Sequence, residues 1–96
     1  MICHSDMNRI IDTIQSYYGI DDIAAKVRKY PYPSAKMAAI LLLFDAGCNG
    51  HEIAKLVGLK VSDVLHKYEE ADRELIESNH FKMEYNEMRQ LLKADQ

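Results

Sequence analysis

The sequence predicts an all-α fold of about six helices built around a helix-turn-helix. Three observations predict it. Ile53-Ala-Lys-Leu-Val-Gly-Leu-Lys-Val-Ser-Asp-Val-Leu-His66 reads as two helices joined at a tight turn. Met, Leu, Ile, Ala, Lys and Glu, all favourable in helices, dominate the chain. Only 2 Pro and 4 Gly occur in 96 residues, and no stretch alternates as a half-buried strand does.

A first helix starts at Ser5 or Asp6, both good caps. Met7, Ile10, Ile11, Ile14, Tyr17 and Tyr18 follow at spacings of three and four, one apolar stripe that Gly19 ends. Asp21 or Asp22 caps a short second helix through Val27, anchored by Ile20 and Ile23. Lys26-Val-Arg-Lys-Tyr-Pro-Tyr-Pro33 is a loop, because two prolines remove amide donors and bias their neighbours to extended geometry. Ser34 caps an apolar helix from Ala35 to about Ala46, stopped by Gly47. Asn49 caps Gly50–Val57. Gly58 then takes the left-handed conformation that ends this helix. Ala54 permits close approach of the next helix, and Val64 fills the angle between the two. The expected recognition helix runs from about Val61 to Ser78, and Asn79 starts the last. There Phe81, Tyr85, Met88, Leu91 and Leu92 make an apolar face.

A chain of 96 residues fits a single domain, 1–96, with one modest core. The run Met37–Phe44 is too short to span a bilayer and reads as a buried central helix, so no membrane association is predicted. Cys3 and Cys48 make a poor disulfide framework and no secretory leader is recognised, so the cytoplasm is the predicted compartment. The net charge of −3 is unevenly spread. Residues 24–67 carry seven Lys/Arg against three acids, net +4, while residues 1–23 and 68–96 carry −3 and −4. Positive charge thus lies where the helix-turn-helix lies, and a local basic face can bind phosphate whatever the total charge.

The order of these pieces resembles the C-terminal DNA-binding domain of the bacterial replication initiator DnaA, over roughly Met7 to Leu92. The residues that carry the resemblance are Tyr17-Tyr-Gly-Ile20, the basic loop with Lys26, Arg28 and Lys29, and Ser34-Ala-Lys-Met-Ala-Ala39. Glu52-Ile-Ala-Lys-Leu-Val-Gly58, Val64-Leu-His66 and the closing helix Phe81–Leu92 complete it. The resemblance implies a stand-alone module with a Trp-repressor-like helix-turn-helix, and it puts Lys36 at a basic position of the family. The family's Arg-Asp-His-Thr-Thr recognition signature is replaced by Leu59-Lys-Val-Ser-Asp63, and Met37 stands for its Gln. No Walker-type glycine-rich loop occurs. The initiator's own target box is therefore not the expected ligand.

Base reading is expected from the start of the recognition helix. Lys60 is placed to donate to guanine or phosphate, Val61 to touch a thymine methyl, Ser62 to donate to phosphate or base. His66 follows one turn later, where a surface or packing histidine is the common alternative. Ser62 has an alternative too, as a residue of the helix start, and Asp63 suits the positive helix N-terminus. Backbone anchoring falls to Lys26, Arg28 and Lys29, extended by Lys36, Lys55 and Lys67. Tyr30 and Tyr32 either add phosphate hydrogen bonds or pack a proline-braced loop on the core.

Cys48-x-x-His51 has ligand-like spacing, with Cys3-His4 as a second pair, but zinc needs two pairs on ordered turns, so no metal is predicted. No nucleophile–base arrangement has motif context, so no enzymatic activity and no cofactor are predicted. The expected partner is double-stranded DNA, bound by a monomer that regulates transcription or replication. The alternative is a protein-interaction module on the same scaffold, binding a replication or transcription protein. The lost signature and the acidic second half of the recognition helix favour it.

Overall fold

A computed structural model describes residues 4–94, and the side chains of residues 6–93. Five helices follow in order: α1 (His4–Tyr18), α2 (Tyr32–Asp45), α3 (Gly50–Val57), α4 (Val61–Glu77) and α5 (Asn79–Ala94). No strand occurs among the described residues, so the all-α class holds.

α2 is the hub. It packs against α1, α3 and α4, while α5 closes the far side against α1 and α4. Every residue from Ala35 to Leu43 is buried, so this helix is enclosed all round rather than on one stripe. The α1 stripe meets it with Met7, Ile10 and Ile14 buried, and α5 contributes Phe81, Tyr85 and Met88. Leu91, expected on that face, stands exposed, while Leu92 packs against the core. Cys48 is a buried free thiol, and burial pushes its pKa up. Cys3 and the side chain of His4 lie outside the described residues.

Three boundaries differ from the sequence reading. α1 already includes His4, so Ser5 and Asp6 lie within its first turn rather than capping it. The short helix expected over 21–27 does not form. Asp22 accepts from the Ala24 amide at 3.0 Å through its side chain and from the Ala25 amide at 3.1 Å through its carbonyl. That makes one turn, too short to offset the cost of helix nucleation. Ile23 nevertheless buries, and its amide donates to Gln15 Oε1 at 2.9 Å, which pins the loop start to α1. Finally, α2 starts at Tyr32, capped by Pro31 without a side-chain bond, so Ser34 is not its cap. Pro33 is harmless there because amides of the first turn have no intrahelical partner.

Candidate nucleic-acid interface

The α3–α4 unit is shaped by its ends. Asn49 accepts from the Glu52 amide at 2.9 Å, and Glu52 accepts from the Asn49 amide at 3.1 Å, a reciprocal capping box. Gly58 ends α3 at φ +70, and the Leu59 amide donates to the Ala54 carbonyl at 3.0 Å. Lys60 is the N-cap residue of α4. Ile53, Ala54, Val57 and Val64 are buried between the two helices, as their spacing predicts.

The turn is also where the distant basic loop meets this unit. Ala24 packs directly on Gly58, closer than any larger residue would allow. The chain then runs through Lys26–Lys29 beside the turn. A groove of about 690 Å³ results, bounded by the loop, the start of α2, the turn and one face of α4. Its cationic lining is Lys26, Arg28, Lys36, Lys60 and Lys67, beside His66, and its acids are Asp63 and Glu70.

Lys36 is the unusual member. It belongs to the buried run of α2, with only 8% of its surface exposed, yet among the described residues its ammonium has no hydrogen bond or ion pair. Its aliphatic stem is enclosed by the core while it lines the groove. Burial pushes its pKa down, and the neighbouring charges of Lys67 and Lys26 push the same way, partly opposed by Asp22. A concave site that gathers these lysines is a site of positive potential. The acids do little to cancel it. Glu70 lies 3.8 Å from Lys67 across an exposed helix surface, a weak pair, and Asp63 sits in the first turn of α4 beside the positive end of the helix dipole.

Four of the expected DNA-binding residues stand apart from the groove. Lys29 and Lys55 are exposed outside it. Val61 is half-buried and packs against the core, with its Cγ1 facing Gly50. Ser62 is exposed in the first turn of α4 and does not cap it. Glu70 was missed by sequence reasoning, although its spacing signals it. Asp63, His66, Lys67 and Glu70 follow at intervals of three and four, one face of a helix. Tyr30 is committed elsewhere, since its hydroxyl donates to Glu84 Oε2 at 2.6 Å.

Among the described residues no group of three or more His, Cys, Asp or Glu is placed to hold a metal. No helix among the described residues is long and apolar enough to cross a membrane. No family model and no curated protein sequence matches the chain.

Proposed function

We propose that this chain is a non-enzymatic double-stranded-DNA-binding module that regulates transcription or replication. On this reading α3 and α4 act as a helix-turn-helix, and the start of α4 enters the major groove. Lys26 and Arg28 hold the adjacent backbone, and Lys36, Lys60 and Lys67 line the path between them. The observation that carries the reading is Lys36. A lysine whose stem lies in the core, whose ammonium reaches the groove without a hydrogen bond or ion pair among the described residues, and whose charge is opposed by Lys67 and Lys26 gains from an arriving anion. A phosphodiester supplies that anion, and regularly spaced phosphates suit a groove lined by five lysine and arginine side chains. The resemblance to the initiator's DNA-binding domain points the same way.

The test is a titration of duplex binding with salt. Four to six phosphate contacts give a log–log slope of roughly −4 to −5. No duplex affinity even at low salt overturns the proposal. The acids of α4 bear on the protein-binding alternative. Of the residues Glu69, Glu70, Asp72, Glu74 and Glu77, only Glu70 lines the groove, so the acidic half of α4 does not screen Lys60. The alternative keeps one supporting observation, the exposure of Leu65 and Ile76 on α4 outside the groove.

A further inference from the structure

We infer that Glu84, on α5, is a positioning residue for the basic loop and acts through Tyr30. Its consequence for DNA rests on the reading above, but the latch itself does not. Glu84 is a carboxylate with 7% of its surface exposed, outside the groove. A buried carboxylate must be well satisfied to be tolerated. Two phenols donate to it, the Tyr30 hydroxyl at 2.6 Å and the Tyr18 hydroxyl at 3.1 Å, and His80 Nε2 lies 3.2 Å away. Tyr18 comes from α1, which the helical core already holds. Tyr30 is different, because it lies in the irregular segment between α1 and α2, 54 residues from its acceptor.

The loop has little else to hold it. Lys26, Val27 and Arg28 are exposed and make no hydrogen bond or ion pair among the described residues. Upstream, the chain is fixed by Ile23 on Gln15 and by Ala24 on Gly58. Downstream, Tyr30 is the side chain that ties it to the body of the protein. The ring edge of Tyr18 packs on Tyr30 at 6.2 Å, which aims the phenol at Glu84. Downstream the backbone is also held where the Tyr32 amide of α2 donates to the Lys29 carbonyl at 3.0 Å, so releasing Tyr30 loosens Lys26 and Arg28 in the groove rather than detaching the segment. Hydrogen bonds to a charged acceptor are the stronger kind, which suits a latch on an otherwise untethered segment.

Trypsin cleavage after Lys26, Arg28 and Lys29 under native conditions reads the latch without any DNA. Losing a hydrogen bond to a charged group frees the loop about tenfold more often. Tyr30→Phe, whose ring is 62% exposed and bears little on the core, is therefore expected to be cut about tenfold faster there. Glu84→Gln, which keeps a weaker acceptor, is expected to be intermediate. Tyr18→Phe removes a different bond to Glu84 and is expected to leave loop cleavage as in the unchanged protein. Wild-type cleavage rates in Tyr30→Phe, or equal acceleration in Tyr18→Phe, overturn the latch. Salt titration of duplex binding then reads its consequence. Tyr30→Phe is expected to weaken binding and flatten the slope, by about 0.9 for each phosphate that the freed loop no longer neutralises. An opened loop with unchanged affinity and slope overturns the positioning role. If the unchanged protein binds no duplex, the DNA reading falls, and the cleavage rates still decide the latch.

Discussion

A β-carbon placed on Gly58 would lie 2.8 Å from the backbone oxygen of Ala24 and 3.1 Å from its β-carbon. These two residues are 34 positions apart, and their close approach brings the cations of residues 26–28 to the turn that leads into α4. Two requirements meet at Gly58. Its φ of +70 ends α3 in the left-handed region, and its lack of a side chain admits the Ala24 backbone.

Gly58→Ala is therefore expected to destabilise the fold through both. The left-handed conformation alone costs about 1–2 kcal/mol for a residue with a side chain, and the clash with the Ala24 backbone adds to it. Thermal unfolding followed by circular dichroism measures the loss. An unchanged Tm shows that the loop and turn do not pack this way.

Charge reversal in the groove gives a second prediction. Lys60→Glu and Arg28→Glu each replace a lining cation by an anion. Each is expected to weaken duplex binding by at least about tenfold at moderate salt, since an attraction to phosphate is replaced by a repulsion. Lys82→Glu makes the same charge change on α5, outside the groove, and is expected to have a much smaller effect. Three equal losses show that net charge alone is acting. No loss in either groove variant, with helicity intact, shows that DNA is held on another surface.

The helices of this protein were largely legible because their signals are local. The Asn49–Glu52 capping box, the Gly58 stop and the Met7–Ile14 stripe each lie within a few residues of what they specify. The site was legible only as a set of basic residues. Lys36 was read only as one more lysine extending the backbone-anchoring strip, whereas it lies in the enclosed run of α2, and burial of a residue is a tertiary fact. The α2 start was misplaced because Ser34 is a strong local cap signal, and Pro31 with Tyr32 captured the helix earlier. The Tyr30–Glu84 bond spans 54 residues and carries no local signature at all.

Alkaline pH supplies a third prediction. The phenols of Tyr17 and Tyr18 are pushed up, first by burial and then by the carboxylates of Glu87 and Glu84. Tyr30 is raised first by its hydrogen bond to Glu84. Each folded phenol keeps a proton that the unfolded chain gives up above its ordinary pKa of 10.0. Below pH 10 the stabilisation is fully present. It is lost as pH rises beyond 10, because the unfolded state then releases protons that the folded state retains. Absorbance at 295 nm and ellipticity at 222 nm, followed together from pH 9 to 13, check this. Ionisation of these tyrosines is expected to coincide with unfolding. Their full ionisation with helicity intact would show that the phenol–carboxylate bonds do not form.

Lys36 separates function from stability. Its pKa is lowered on folding, so at neutral pH the folded state bears the cost of enclosing a charge, and that cost fades as pH rises toward the ordinary value of 10.5. Lys36→Met keeps the apolar stem among Ala35, Met37 and their neighbours and deletes the unpaired ammonium. Removing a charge that desolvation and Lys67 disfavour, while keeping an apolar stem, is expected to stabilise the fold modestly. The variant is therefore expected to melt higher than the unchanged protein at pH 7, with the gap narrowing toward pH 10. Its duplex affinity is expected to fall, with a salt slope shallower by about 0.9. A residue kept for packing would behave oppositely, with stability lost on substitution and affinity falling only in step with it. Raised stability together with lower affinity would mark Lys36 as a cation held in place for a phosphate, at a cost to the fold that bears it.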